Sequence, residues 1–170
     1  MPKRSAGLLM YRMVGRDVAV LLVHPGGPFW ARKDLGAWSI PKGEYADDED
    51  PLAAAQREFA EETGAHPQGE LRPLGEIVQS GGKRVVAWAL EGDFDPAALV
   101  SNSFELEWPP RSGRKAHFPE VDRAEWFSPA MARQTEHAAA AARVARRLFA
   151  EKPKAFRRRL MSLWESRQQK

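Results

Sequence analysis

The stretch that decides the fold is residues 43–65, GEYADDEDPLAAAQREFAEETGA. Asp50 followed by Pro51 predicts the start of a helix, because an aspartate side chain caps free backbone N–H groups and proline lacks the N–H that would otherwise stay unpaired. Alanine-rich sequence continues to Gly64, and a glycine in this place predicts the end of the helix. We therefore expect an acidic loop over residues 43–49 and a helix over residues 50–64.

Three carboxylates lie on one face of this predicted helix. Glu58, Glu61 and Glu62 have the spacing i, i+3 and i+4 that a period of 3.6 residues places side by side. Repulsion between exposed like charges costs only a few tenths of a kcal/mol per pair, so a solvated acidic face is one interpretation. A hard divalent cation such as Mg²⁺ would turn the repulsion into binding, which is the other. The apolar residues fall on a different face that is expected to anchor the helix in the core: Leu52, Ala55 and Phe59.

Residues 43–65 match the Nudix box, Gly-x5-Glu-x7-Arg-Glu-U-x-Glu-Glu-x-Gly-U with U hydrophobic, at every polar and glycine position. Average residue frequencies give such a match by chance with a probability on the order of 10⁻⁷ or less. The sequence therefore resembles the Nudix hydrolase family. Two U positions hold Phe59 and Ala65 instead of the usual bulky aliphatic residues, a difference that affects packing more than chemistry.

The resemblance implies an α/β Nudix fold, a mixed β-sheet sandwiched between α-helices with a loop–helix–loop motif that carries the site. It also implies a Mg²⁺- or Mn²⁺-dependent pyrophosphohydrolase that cleaves a phosphoanhydride bond in a nucleoside diphosphate-linked substrate. A catalytically silent Nudix fold that binds a nucleotide or RNA as a sensor is the alternative. The intact carboxylates favour the enzyme, because a sensor need not keep three metal ligands.

By the family pattern, Glu58, Glu61 and Glu62 are expected to be metal ligands, together with the backbone carbonyl of Lys42. Arg57 is expected to pair with Glu49 and so to orient the loop against the helix rather than to take part in the chemistry. Structural roles are implied for three positions of the box: Gly43, Glu49 and Gly64.

One more carboxylate commonly comes from the loop before the last strand of this family. The sixth residue before Trp126 is Glu120, and the resemblance makes it an added metal ligand or the general base. Plain solvation is the other interpretation of a single loop glutamate. Glu105 and Glu107, in a preceding long connection, compete for the same role.

Substrate recognition is predicted from basic residues near the box. Lys42, within Pro-Lys-Gly, and Lys83, followed by Val85, Val86 and Trp88, resemble the branch that cuts dinucleoside polyphosphates or capped nucleotides. Two lysines could grip an extended phosphate chain. Arg32 and Lys33 are further candidates from the preceding loop. Three aromatic residues could stack on a base, although such residues more often belong to the core: Trp30, Phe104 and Trp108.

Hydrophobic patterning predicts strands over residues 6–11, 18–24, 38–40, 74–79, 83–90 and 124–127. A long loop is expected over residues 25–36 and a polar connection over residues 93–119. Helices are predicted over residues 129–150 and 155–164. We expect a Nudix domain over residues 1–150 and a basic helical tail over residues 151–170.

Composition excludes several protein classes. The chain has 170 residues, 43% hydrophobic and 29% charged, which is typical of a soluble globular domain and not of a disordered chain or a membrane span. The absence of cysteine excludes disulfides, thiolate nucleophiles and thiolate metal sites. The four histidines, at positions 24, 66, 117 and 137, lack the spacing of a zinc site. A cytoplasmic protein with a nucleotide substrate and no membrane partner is expected, and the oligomeric state is left open.

Charge is unevenly distributed along the chain. Residues 43–65 carry a net charge of −7, whereas residues 143–170 carry +8. A solvated helical face is the commoner explanation of such a basic tail, and contact with RNA or another polyanion is the alternative.

Overall fold

The computed structural model describes residues 3–15, 17–34, 36–79, 82–128 and 131. The helices predicted over residues 129–150 and 155–164, and the basic tail, lie outside these residues. The described elements are β1 (Arg4–Val14), β2 (Asp17–Pro25), β3 (Lys42–Glu44), α1 (Pro51–Thr63), β4 (Leu71–Val78), β5 (Arg84–Glu91), a 3₁₀ turn (Pro96–Ala98), β6 (Ser103–Glu107), β7 (Lys115–Pro119) and β8 (Val121–Phe127). No helix in this part of the chain is long and apolar enough to cross a membrane.

The main sheet is mixed. Its strand order is β4-β5-β1-β2-β8, with β3 added to β1. β1 and β5 run parallel, and the other pairs of this sheet are antiparallel. The mixed sheet with a helix packed on it confirms the predicted α/β fold class. Five predicted strands are confirmed as β1, β2, β4, β5 and β8, with ends that differ by up to three residues.

The core lies on both faces of the central strands. Leu8 and Leu9 are neighbours on β1 and therefore point to opposite faces, yet both are fully buried. Such continuous apolar runs are expected where both faces of a sheet are covered. One face carries Leu8, Met10 and Leu21 against Ala54, Ala55 and Phe59 of α1. The other carries Leu9 and Leu22 against Trp38, Ile40 and Phe127. Of the predicted helix anchors, Leu52 is only half-buried.

Helix α1 begins and ends as its sequence predicts. The Asp50 side chain accepts a hydrogen bond from the backbone N–H of Ala53 at 2.9 Å, and Pro51 is the first helical residue. Gly64 adopts the left-handed conformation, with φ at 77°, and its N–H donates to the Ala60 carbonyl at 2.8 Å. Both caps use groups within a few residues, which explains why the prediction is confirmed.

The strand predicted over residues 38–40 is wrong. These residues form a single bridge, between Ser39 and Val23, and the paired strand β3 begins at Lys42. The side chains of Trp38 and Ile40 are buried in the core. Their hydrophobicity therefore indicates burial and not a strand that pairs along its length. Pro41 separates them from β3 and has no N–H to donate.

The polar connection predicted over residues 93–119 contains a β-hairpin. β6 and β7 form a sheet of their own, with Phe104 opposite Phe118. Phe104 and Leu106 are half-buried and alternate with exposed Ser103, Glu105 and Glu107. This period of two is the signal of a strand, and the prediction missed it because each strand has only five residues.

Candidate active site

A cavity of about 480 Å³ opens beside β3 and α1. Its size falls within the range of roughly 300–1,000 Å³ that is usual for small-molecule sites. Its lining divides into two walls of different chemistry. We call the first the charged wall, formed by Lys42, Gly43, Glu58, Glu62 and Glu120. We call the second the aromatic wall, formed by Phe29, Trp30, Phe104 and Leu106 next to Pro25, Gly26 and Gly27.

Gly43 lets β3 approach the helix closely. A Cβ atom added at this position would lie 1.9–2.2 Å from the carboxylate atoms of Glu58. A side chain at residue 43 would therefore displace the Glu58 carboxylate from the charged wall. This close approach accounts for the glycine at the start of the box.

The backbone of Lys42 faces the helix. Leu8 donates to the Pro41 carbonyl at 3.0 Å and Tyr45 donates to the Arg4 carbonyl at 3.3 Å, so these pairs of the β1–β3 ladder are hydrogen-bonded. The intervening pair of Lys42 with Gly7 is then of the non-hydrogen-bonded type, with its peptide groups pointing away from β1. The Lys42 N–H donates to Glu62 Oε2 at 3.2 Å. The Lys42 carbonyl belongs to the same non-hydrogen-bonded pair and therefore points away from β1, on the side of this N–H.

Arg57 connects the acidic loop to the carboxylates of α1. Its Nε and Nη2 donate to the two carboxylate oxygens of Glu49 at 3.0 and 3.3 Å, which is the pairing that the family pattern implies. Its Nη1 donates to Glu58 at 2.7 Å and to Glu61 at 3.0 Å. The hydrogen bonds with Glu49 are the main reason that the pKa of Arg57 is raised, and they lower the pKa of Glu49.

Burial perturbs the ionisable groups of the charged wall. It raises the pKa of Glu62 to about 8 and also raises the pKa of Glu58. The charges of neighbouring carboxylates add to this, because Glu61 and Glu120 raise the pKa of Glu58, and Glu58 and Glu120 raise the pKa of Glu62. Burial lowers the pKa of the Lys42 ammonium group. Glu58 and Glu62 are therefore carboxyl groups whose charged forms are poorly solvated, and a bound cation would stabilise those charged forms.

The donor atoms of the charged wall are of the chemical type that a hard divalent cation prefers. Glu58, Glu62 and Glu120 supply carboxylate oxygens to one cavity, and Mg²⁺ and Mn²⁺ prefer oxygen ligands. In the part of the chain that the structure describes, no three acidic or histidine side chains are already arranged to hold a metal ion. Arg57 Nη1 holds two of the carboxylates, so a cation would have to draw Glu58 and Glu61 away from it. The bonds from Arg57 to Glu49 use other nitrogens and would remain.

Several predicted residues lie outside the cavity lining. Glu61 is turned toward Arg57. Lys83 lies beside the charged wall: its Nζ is 3.3 Å from Glu44 Oε1, and its charge contributes to the lowered pKa of Lys42. Arg32 and Lys33 are exposed on the loop, and the Lys33 ammonium lies 4.8 Å from the Trp30 ring centroid.

The competing glutamates and Trp108 occupy the hairpin away from the cavity lining. Glu105 is exposed and accepts a hydrogen bond from Lys115 Nζ at 2.6 Å. Glu107 is exposed and accepts from the Gly113 N–H at 2.9 Å. Trp108 packs edge-on against Phe29, with ring centroids 5.4 Å apart. Of the three candidate glutamates, Glu120 is the one that lines the cavity.

The structural role of His24 was not predicted from the sequence. It is fully buried on β2, with Nδ1 at 2.7 Å from Asp122 Oδ1. Its Nε2 donates to the Lys33 carbonyl at 2.6 Å. His24 therefore connects the loop that carries Trp30 to strand β8. A histidine within a buried apolar strand is the signal, because such a side chain needs polar partners.

A family model described as NUDIX domain matches residues 1–148. The chain belongs to the Nudix family. This Nudix protein is a hydrolase of pyrophosphate bonds in nucleoside diphosphate-linked substrates, and divalent cations are generally required in the family. None of the curated proteins searched matches the sequence significantly.

Solved structures with similar folds include an Ap4A hydrolase of C. elegans, with 21% identity and a TM-score of 0.58 over 86% of this chain and 96% of that one. The NUDIX domain of Shewanella oneidensis NrtR, solved with ADP ribose, has 18% identity and a TM-score of 0.58 over 86% and 87% of the two chains. The C-terminal domain of mouse MUTYH, solved with human PCNA, has 20% identity and a TM-score of 0.56 over 90% and 91%. At these identities the likeness shows the fold alone.

Proposed function

We propose that this Nudix hydrolase is metal-dependent and cleaves a phosphoanhydride bond of a dinucleoside polyphosphate. The observation that carries the proposal is the cavity with two walls, whose lining combines three glutamates with a set of aromatic residues. The charged wall suits the phosphates with their cation, and the aromatic wall suits a nucleoside. The C. elegans Ap4A hydrolase, by its name, acts on a molecule of this class and supports the proposal at the level of the fold.

Glu58, Glu62 and the Lys42 carbonyl would hold Mg²⁺ or Mn²⁺, with Glu61 joining them on release from Arg57. When bound, the cation would neutralise charge on the phosphate oxygens and favour a nucleophilic hydroxide. The Lys42 N–H holds one carboxylate oxygen of Glu62 and thereby orients the other. The bidentate contact of Arg57 with Glu49 fixes the acidic loop against α1.

Glu120 is proposed as the residue that accepts the proton of the attacking water. It lines the cavity and is exposed, so water reaches it, and a carboxylate within hydrogen-bond reach of that water can act as a general base. Its backbone is fixed at both sides, because its N–H donates to the Asn102 carbonyl at 2.8 Å and its carbonyl accepts from Gly26 at 2.9 Å. The loop that carries it is therefore held in place.

Lys42 and Lys83 are proposed to bind phosphates that are remote from the cleaved bond. Lys42 lines the cavity, and Lys83 is close enough to affect the ionisation of Lys42. Lys83 now pairs with Glu44, which is half-exposed, and a phosphate would replace that carboxylate. Arg32 and Lys33 stay candidates for contacts outside the cavity.

A substrate panel tests this proposal. Dinucleoside tetraphosphates, nucleoside triphosphates, ADP-ribose, a nucleotide sugar and capped RNA are incubated with Mg²⁺, Mn²⁺ or a chelator, and the products are identified by mass spectrometry. We expect the dinucleoside tetraphosphates to have the highest kcat/KM and all turnover to stop in chelator. Faster cleavage of ADP-ribose or the sugar would contradict the substrate class, and full activity in chelator would contradict metal dependence. Tight binding of a nucleotide or RNA without any cleavage would favour the silent sensor.

A further inference from the structure

We infer that His24 and Asp122 are positioning residues of the reaction, which together aim Glu120 into the cavity and hold the end of the loop that carries Trp30. This inference rests on the proposed function, because it concerns the placement of the proposed general base. His24 and Asp122 both lie outside the cavity lining. They therefore act through other residues and not by contact with the substrate.

The first link is a β-bulge where the start of β8 meets the end of β2. The ladder pairs His24 with Arg123 but the next residue of β2 with Val121, so one residue of β8 is left over between the two pairs. That residue is Asp122. A bulge of this kind bends its strand and changes the direction of the neighbouring side chains, and bulges are frequent next to active sites.

The side chain of Asp122 is held at the bulge by His24. His24 is fully buried, and its Nδ1 lies 2.7 Å from Asp122 Oδ1. A buried ring nitrogen that loses its partner becomes an unsatisfied polar group, which is unfavourable. The contact therefore fixes the conformation of the extra residue and the direction in which the chain enters β8.

The position of Glu120 follows from the same junction, because it lies two residues before Asp122. The Glu120 carbonyl accepts from the Gly26 N–H at 2.9 Å, just beyond the bulge. A Cβ atom at Gly26 would collide with the Pro119 carbonyl, so the two segments are in direct contact here. A shift of the bulge would therefore move the backbone of Glu120, which lines the cavity.

The second link joins the same histidine to the loop that carries Trp30. His24 Nε2 donates to the Lys33 carbonyl at 2.6 Å. The carboxylate of the next residue, Asp34, lies 3.7 Å from Arg123, which is adjacent to the bulge. One buried imidazole therefore connects the start of β8 to the end of a loop that contributes to the aromatic wall.

Two amide variants separate the two links. The amide nitrogen of asparagine is as many bonds from the backbone as Nδ1, and that of glutamine as many as Nε2, so His24→Asn keeps the bond to Asp122 and His24→Gln keeps the bond to Lys33. We expect His24→Gln to lower kcat for a dinucleoside tetraphosphate roughly 10- to 100-fold with little change in KM, because misplacement of a catalytic group by about 1 Å can cost this much. His24→Asn should instead raise KM roughly 3- to 10-fold, because the loop occupies its binding position for a smaller fraction of the time. The same change of kcat and KM in both variants would overturn the inference.

Asp122 lies nearer the surface and provides variants that do not alter a buried side chain. Asp122→Ala should reproduce the fall in kcat, and Asp122→Asn, which can still bond to Nδ1, should recover most of it. Leu74→Ala is the matched control, because it weakens the core at β4, the opposite edge of the main sheet, and should lower Tm without changing kcat. Normal kcat in Asp122→Ala, or equal losses in Asp122→Ala and Asp122→Asn, would overturn the inference.

Limited proteolysis measures the loop link without any substrate. Trypsin cleaves after lysine and arginine, and Arg32 and Lys33 are both exposed. The Lys33 carbonyl that His24 binds belongs to one of the bonds that trypsin attacks. We expect cleavage at these two sites, located by mass spectrometry, to be faster in His24→Asn than in His24→Gln or the unmodified protein. Equal rates in the three proteins would overturn the loop link.

Glu120→Gln separates a failure of this inference from a failure of the proposed function. A strongly reduced kcat in Glu120→Gln together with normal kcat and KM in both His24 variants would overturn the inference and leave the proposed function intact. Normal kcat in a folded Glu120→Gln protein would instead contradict the proposed role of Glu120. Failure of the unmodified protein to cleave dinucleoside tetraphosphates with Mg²⁺ or Mn²⁺ would overturn the proposed function itself.

Discussion

The two walls of the cavity are built in opposite ways. Four of the five residues of the charged wall lie within residues 42–62, on one short strand and one helix. The aromatic wall joins residues 25–30 to residues 104–106, which are far apart in the sequence. Apart from Glu120, the residues of the first wall come from one segment of the chain, whereas the second wall forms only when two distant segments meet. The groups proposed for the reaction therefore lie mostly in one segment, and the proposed recognition of the nucleoside depends on the contact between two.

The walls also differ in how their environment affects stability. Burial raises the pKa of Glu58 and Glu62, so the charged wall is unfavourable until a cation joins it. The rings of the aromatic wall are instead stabilised by contacts such as that of Phe29 with Trp108. Changes in the charged wall should therefore act mainly on kcat, and changes in the aromatic wall mainly on KM.

The largest effect is expected for Glu62→Gln. Losing this carboxylate should lower kcat by about 10³-fold or more, because charge stabilisation by a bound metal is worth several kcal/mol. KM should change little. Steady-state kinetics with saturating Mg²⁺ checks this. Glu61→Gln is measured in parallel for comparison, because Glu61 is a glutamate of the same helix that lies outside the cavity lining. A folded Glu62→Gln protein with normal turnover would remove Glu62 from the metal site.

Gly43→Ala should lower kcat by roughly 100-fold, because the new Cβ would occupy the position of the Glu58 carboxylate and misplacement of about 1 Å can cost this much. Gly92→Ala is the matched control. An added Cβ at Gly92 would meet only the flexible side chain of Met10, at 3.3 Å, so this variant should stay active. Equal activity of the two variants would show that the close approach of β3 to α1 is unimportant for the reaction.

Lys83→Ala tests whether the charged wall extends beyond the cavity. One charge-assisted phosphate contact is worth about 1.5–3 kcal/mol, so kcat/KM for dinucleoside tetraphosphates should fall roughly 10- to 150-fold. ADP-ribose, which has only two phosphates, should be affected much less. Lys3→Ala is the control, since Lys3 also pairs with Glu44 but is more exposed. Losses of equal size for both substrates would remove Lys83 from the distal phosphate site.

The smallest effect is expected for Glu49→Gln, which breaks the contact that holds the acidic loop to α1. Arg57 lowers the pKa of Glu49 in the folded protein, so the pair stabilises the fold above the unfolded pKa of this glutamate. That stabilisation disappears as the pH falls through the lowered folded pKa. Thermal unfolding should show a lower Tm for the variant at pH 7 and a difference that narrows in acid. A difference that grows in acid would contradict this assignment.

An element can be predicted from the sequence when the residues that determine it lie close to one another along the chain. The ends of α1 are set by Asp50 and Gly64 through bonds to nearby residues, and the sequence predicts both. Counting six residues back from Trp126 gives Glu120, which lies next to β8 and lines the cavity, and its role in the reaction stays a prediction. The hairpin was not predicted, because its strands have only five residues each, and residues 38–40 were predicted as a strand although they form only a single bridge at Ser39. Trp30 and Phe104 were named as candidates, but no local pattern shows which aromatic side chains face a common cavity.

The hairpin of β6 and β7 has a consequence for how such an enzyme can diverge. Within the described residues, the two strands of the hairpin pair with each other and not with the main sheet. Hydrogen bonds at the base of the hairpin connect it to the main sheet, such as those of Asn102 with Glu120 and Ser101 with Val121. Lengthening, shortening or exchanging the hairpin would break no strand pairing of the main sheet. A different hairpin, acquired in evolution or by engineering, could therefore change which substrates are accepted while the residues proposed for hydrolysis stay the same.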